Sequence, residues 1–203
     1  MSFRIEEKIF LKDFNIFEFK KWLVFNNSKK LYPSRIINSI YFDNYLRMYR
    51  DSNEGVVPRK KLRIRTYGNK KFFLSKNNFF KETKITYYNY RDKIVEPYKF
   101  SKNKFILGLI DNAYGYCKPN LNVVYKRNYY KVFDLRITID ENINYRSIRN
   151  QKLSNHPIFD EGTCVIEIKT NNLYSTDRLK EFFPLARSRF SKYCRGIEIT
   201  NII

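Results

Sequence analysis

Apolar and polar residues alternate over several short stretches of the chain, the period of two expected of half-buried strands. Residues 3–11 follow this pattern. So do Ser39-Ile40-Tyr41-Phe42-Asp43, Lys60 to Tyr67, Phe79 to Tyr87, Leu121 to Tyr129, Phe133 to Asp140 and Cys164 to Thr170. Three stretches read as helical. Asn15 followed by Glu18 makes a capping-box pattern, opening a helix through Phe17-Glu18-Phe19-Lys20-Lys21-Trp22-Leu23. Ser101 is placed to cap a second, containing Phe105, Ile106, Leu109 and Ile110, which Pro119 separates from the next strand. Ser175 or Thr176 starts a third, interrupted at Pro184 and ending near Gly196. Gly55 and Pro58 mark a loop, residues 68–78 form a polar one, and residues 142–162 carry turn signals at His156-Pro157 and Gly162. Strands dominate without a βαβ alternation, which favours an antiparallel α+β fold. No low-complexity linker and no internal repeat divides the 203 residues, so a single domain over 1–203 is expected.

Strand parity places the charges. Arg4, Glu6 and Lys8 share a face, as do Arg59, Lys61, Arg63 and Arg65 opposite Leu62 and Ile64. Glu82 and Lys84 lie opposite Ile85, and Arg91 and Lys93 are again two apart. Tyr125 pairs with Arg127 in this way; Arg136, Thr138 and Asp140 oppose Leu135, Ile137 and Ile139; Glu167 and Lys169 oppose Ile166 and Ile168. A solvated outer face explains any one of these strands. Together they describe something else, because Arg and Lys recur with only isolated Glu among them. Helices with apolar stripes also need an apolar sheet face to pack on. Apolar faces clad by helices, with charged faces turned inward, describe a wet barrel whose lumen needs an anion or carboxylates to offset like charges.

Composition narrows the partner. Forty Lys and Arg against twenty Asp and Glu give a formal charge of +20, a self-repulsion that a polyanion would relieve. Cys117, Cys164 and Cys194 are odd in number and lack CxxC spacing, which reads as reduced thiols in a cytoplasmic protein. The first residues, Met1-Ser2-Phe3-Arg4-Ile5-Glu6-Glu7-Lys8, contain no signal-peptide apolar region, and no apolar run is long enough to span a bilayer. Peripheral membrane association stays open. Neither a Walker A loop nor GxGxxG occurs, and the one histidine, His156, sits beside a proline in a turn, a poor place for a triad base. Phosphoryl transfer needs mainly charge stabilisation and in-line placement, which Arg, Lys and Glu supply.

The ordered set of short motifs resembles the VTC domain family. It comprises Phe3-Arg4-Ile5-Glu6-Glu7-Lys8, Ser39 to Asp43, Arg59 to Tyr67, Glu82-Thr83-Lys84-Ile85, Val124-Tyr125-Lys126-Arg127, Leu135 to Asp140, Glu167-Ile168-Lys169 and Ser191-Lys192-Tyr193. The resemblance implies the triphosphate tunnel metalloenzyme superfamily: an α+β fold with an antiparallel β-barrel tunnel and flanking helices. It also implies polyphosphate synthesis from ATP with a divalent metal, Mn²⁺ or Mg²⁺. By that resemblance Lys8, Arg63, Arg65, Lys84, Arg127, Arg136 and Lys192 are catalytic phosphate-gripping positions. Arg59, Lys61, Arg91, Lys93, Lys169, Ser191 and Tyr125 are expected to bind substrate. Glu167 matches the metal-binding glutamate, while Glu6 and Glu82 either join the metal or order the basic residues.

One motif departs from the superfamily. Arg4 stands at the first glutamate position of the ExExK found in CYTH triphosphatases. This favours a polymerase-like phosphotransferase acting on ATP and inorganic polyphosphate over a triphosphatase of the same fold. A non-catalytic module for polyphosphate or an inositol phosphate is the other alternative. Nucleic-acid binding ranks last, because the basic residues fall on inward-type strand positions beside carboxylates.

Overall fold

The computed structural model describes residues 5–68, 78–88, 90–99, 101, 107–150, 152–170 and 190–201, without the side chains of 5–7, 13 and 14. In chain order the elements are β1 (Ile5–Lys12), α1 (Asp13–Phe25), β2 (Lys29–Asp43), α2 (Arg47–Glu54), β3 (Arg59–Tyr67), β4 (Phe79–Thr86) and β5 (Arg91–Tyr98). There follow β6 (Leu109–Asp111), β7 (Gly115–Val132), β8 (Leu135–Arg149), β9 (Lys152–Leu153), β10 (Ile158–Phe159), β11 (Thr163–Thr170) and α3 (Lys192–Ile199). The strands form a sheet in the order β1-β11-β8-β7-β2-β3-β4-β5, with β6 on β7 and β9 and β10 on β8. The registers given below are antiparallel throughout, as the α+β expectation requires. The ladder runs from β1 at one end to β5 at the other.

The chain divides into two compact units. One comprises Met1–Arg35, Tyr125–Ile143 and Asp160–Phe190; the other comprises Ile36–Val124, Asn144–Phe159 and Ser191–Ile203. In the first, β1, β11 and β8 bring Ile9, Leu11, Ile137, Ile139, Cys164, Ile166 and Ile168 to one face, and Phe19 and Leu23 of α1 bury against them. The opposite face carries Lys8, Glu167, Thr138, Lys169 and Arg136. In the second, Ile40, Leu62 and Ile64 lie on the apolar face of β2 and β3 and are each at most 1% exposed. Ser191 caps α3 by accepting a hydrogen bond from the Cys194 amide at 3.3 Å. Gly196 permits that helix's close approach: a Cβ there would lie 2.5 Å from Leu121 Cδ2 and 2.6 Å from Tyr145 Cδ1, on two fully buried side chains.

Several boundaries differ from expectation. The α1 helix begins at Asp13, so Asn15 falls inside its first turn and the capping box is not formed; the cap residue is Lys12, with no side-chain bond. Leu109 and Ile110 are in β6, not a helix; Phe105 and Ile106 lie outside the described residues. Pro119 is inside β7, just beyond the Leu109–Cys117 pairing with β6, where its missing N–H costs no ladder bond to that strand. Gly196 lies within α3, which runs on to Ile199; the stretch from Ser175 through Pro184 lies outside the described residues. The three cysteines are free and buried, and no helix among the described residues is long and apolar enough to cross a membrane.

Replacing Gly196 by Ala should cost about 1–3 kcal/mol through overpacking. Urea unfolding measures it, and an unchanged midpoint would contradict the close packing of α3.

Candidate functional site: two charged sheet faces

In the second unit, parity and register assemble one face from three strands. Arg59 pairs with Thr86, Lys61 with Lys84, Arg63 with Glu82 and Arg65 with Phe80, while Lys84 pairs with Lys93 and Thr86 with Arg91. On β3, β4 and β5 this face therefore carries seven basic residues, Arg59, Lys61, Arg63, Arg65, Lys84, Arg91 and Lys93, against one carboxylate, Glu82. That carboxylate is 1% exposed. Its Oε2 accepts from Arg63 Nε at 2.7 Å and Nη2 at 2.5 Å, with Arg65 Nη1 at 3.4 Å, and its Oε1 accepts from Lys93 Nζ at 2.7 Å. Burial alone would raise the Glu82 pKa; Arg63, Arg65 and Lys93 outweigh it and hold the carboxyl at about 2.

The β2 strand continues this face with Ser39 opposite Arg65 and Tyr41 opposite Arg63. Arg65 Nε donates to Ser39 Oγ at 3.2 Å, and Arg63 Nη1 donates to the Tyr41 hydroxyl at 2.8 Å. Burial would raise the Tyr41 pKa, but Arg63, Arg65 and Lys192 together lower it. The Tyr41 ring stacks on Tyr193 of α3 with centroids 5.0 Å apart. Tyr193 donates to Asp43 Oδ2 at 2.6 Å, and Asp43 also accepts from the Met48 and Tyr49 amides of α2 at 3.0 Å each. Both helix starts are thus tied to the strand that frames Arg63. Lys61 Nζ donates to Ser191 Oγ at 2.7 Å, and Lys192 follows as the first residue of α3.

The first unit carries a more balanced set. Lys8 faces Glu167 across β1 and β11, and Lys169 faces Arg136 across β11 and β8. Arg127 Nε and Nη2 donate to the two oxygens of Asp140 at 2.5 and 2.7 Å, and Nη2 also lies 3.6 Å from Glu167 Oε2. Lys169 Nζ is 2.8 Å from Glu167 Oε1. The Arg127 guanidinium sits 5.4 Å from the Tyr125 ring centroid. Burial would lower the Arg127 pKa, but Tyr125, Asp140 and Glu167 raise it well above its ordinary value. Arg136 is exposed, and the Glu6 side chain lies outside the described residues, although its backbone pairs with Lys169.

Five residues join these faces that were not among the expected site residues: Ser39, Tyr41, Asp43 and Tyr193 in one unit and Asp140 in the other. Parity already placed Asp140 with Arg136, and parity within Ser39-Ile40-Tyr41-Phe42-Asp43 separates Ser39, Tyr41 and Asp43 from Ile40 and Phe42. Tyr193 belongs to the Ser191-Lys192-Tyr193 motif, which gave it no structural role. For a metal, no group of three or more His, Cys, Asp or Glu side chains converges among the described residues. Glu82 and Asp140 are committed to arginines. Glu167 offers a hard oxygen donor of the kind divalent ions take, provided most other ligands come from phosphate oxygens.

Glu82→Gln leaves Arg63, Arg65 and Lys93 without their common counter-charge and should cost about 3–5 kcal/mol. Because the folded pKa is depressed, the stabilisation is present above about pH 4.5 and lost as pH falls towards 2. Thermal unfolding against pH should show the wild type losing stability across that window and the Gln variant flatter there; parallel curves would contradict the assignment.

The VTC domain matches residues 3–201 of the chain. No curated protein sequence matches it. A solved candidate adenylate cyclase from Bacillus halodurans superimposes with a TM-score of 0.58 at 12% identity, over 94% of this chain and 96% of that one. A second candidate adenylate cyclase, from Vibrio parahaemolyticus, gives 0.48 at 14% identity over 94% and 95%. The Pct1 RNA triphosphatase of S. pombe, solved with the Spt5 CTD, gives 0.28 at 13% identity over 100% and 76%. The first of these likenesses supports the antiparallel tunnel fold, and the match over nearly the whole length identifies the family: the chain belongs to the VTC domain family.

Proposed function

We propose that the protein is a polyphosphate polymerase-type phosphotransferase, a single VTC-like domain that moves the γ-phosphoryl group of ATP to a polyphosphate chain. The observation that carries this reading is the face of β3, β4 and β5, which carries seven basic residues and one carboxylate. Basic side chains repeated along extended strands suit the phosphate oxygens of a linear chain.

In this reading Arg63 and Arg65 grip phosphate oxygens while Glu82, Tyr41 and Ser39 hold their guanidinium groups in fixed orientations. Lys61, Lys84, Arg91, Lys93, Arg59 and Lys192 extend the grip. Arg127, Lys169, Lys8 and Arg136 supply the same chemistry on the other unit's face. A terminal phosphate oxygen of the acceptor forms the new bond to Pγ, and the bond from Pγ to the β–γ bridging oxygen breaks, releasing ADP. The acceptor is already an anion, so no strong base is needed. The ion pairs support that choice over attack by water, since Glu82, Asp140 and Glu167 all lie beside cations rather than standing ready as a base. A divalent ion bound through Glu167, Mn²⁺ or Mg²⁺, would neutralise phosphate charge.

Purified protein with ATP and Mn²⁺ should yield polyphosphate chains resolvable on a gel. Arg65→Ala and Glu167→Gln should each lower the rate by about 100-fold or more, while Glu167→Gln should keep tripolyphosphate binding. Orthophosphate as the sole product would favour a triphosphatase, and binding without turnover a non-catalytic polyphosphate module.

A further inference from the structure

The α1 helix is apolar around more of its circumference than its packing uses. Phe19 and Leu23 are buried in the core of the first unit, with Ile16 and Trp22 packed against it. Phe17, Lys21, Val24 and Phe25 follow the i, i+4, i+7, i+8 spacing of a different stripe. Phe17 is 57% exposed, Val24 76% and Phe25 89%. Lysines flank them in the chain: Lys20 and Lys21 on the helix, and Lys29 and Lys30, both exposed, at the start of β2. Lys21 also lies over the Phe17 ring, 4.6 Å from its centroid. Exposed apolar residues flanked by cations match the two layers of an anionic membrane surface, acyl chains below and phosphates above.

We propose that the C-terminal end of α1 and the start of β2 form a docking site for anionic phospholipid. Val24 and Phe25 enter the headgroup region, and Lys29 and Lys30 lie beside lipid phosphates. Charge selects this occupant over a second copy of the chain. Two such tips would bring eight lysines together in a protein that already carries +20, with Glu18 and Glu141 each beside one of the four lysines on either tip. Nucleic acid would use the lysines, but it offers no apolar layer for Val24. The site is separate from the charged sheet faces, since α1 covers the opposite, apolar face of β1, β8 and β11.

The test is co-sedimentation of the full chain with phosphatidylcholine vesicles, with or without about a third phosphatidylserine. Trp22, the only tryptophan, adds a reporter one turn from Phe25, through quenching by brominated lipids. The wild type should sediment only with the anionic vesicles and show quenching. Val24→Ser with Phe25→Ser should weaken binding at least about tenfold with unchanged melting, because both side chains are exposed. Lys29→Glu with Lys30→Glu should remove the dependence on phosphatidylserine. The proposal is overturned if the wild type fails to sediment or if the Val24, Phe25 variant binds as the wild type does. It is also overturned if that variant changes only the mass in light scattering, which would assign the tip to self-association.

Discussion

Seven basic side chains on one face of β3, β4 and β5 would repel each other strongly enough to oppose folding, and the buried Glu82 carboxylate is what makes the arrangement tenable. It lies where three cations can share it, and their attraction exceeds the cost of burying a charge, so it stays ionised. On this face basic residues outnumber the one carboxylate of the three strands, a composition suited to a multiply charged anion.

The same device is used with a different balance in the first unit. There Asp140 takes the Arg127 fork bidentately, and Glu167 stands between Arg127 and Lys169. One face has seven basic residues to one carboxylate; the other has a lower ratio and a carboxylate that phosphate oxygens could join in holding a metal ion. Hydroxyl groups add rigidity. Tyr41 and Ser39 fix the arginines of β3, and the Tyr193–Asp43 bond ties α2 and α3 to the same strand. A phosphate-binding arginine held from behind loses less freedom when it binds, which favours affinity and alignment together.

Much of this was legible before any coordinates. The spacing of Arg59, Lys61, Arg63 and Arg65, and of Glu167 and Lys169, gave strands and faces because one side of each strand is apolar and the other charged. Where neither side is buried, the signal vanished. Residues Lys29 to Arg35 of β2 and almost all of β5 are solvent-exposed, and both went unrecognised as strands. Pro119 was read as a breaker, yet the β6 ladder ends before it and the strand runs on. Asn15 and Glu18 suggested a cap, but the helix begins two residues before Asn15 and leaves that residue inside its first turn. The ion pairs were beyond reach, since parity says which residues share a face and not which carboxylate each arginine chooses. Tyr193 belongs to a recognised motif, but it comes from a distant helix, and nothing local says that it stacks on Tyr41.

The central claim is that the charged face of β3, β4 and β5 grips a linear polyphosphate chain. Calorimetric titration with tripolyphosphate across a range of salt concentrations tests it most directly. The account predicts tight binding that weakens steeply with salt, outlasts binding to a single-stranded oligonucleotide at the same ionic strength, and is impaired by Arg63→Ala. Equal or tighter binding to the oligonucleotide, or tripolyphosphate binding indifferent to Arg63, would contradict it.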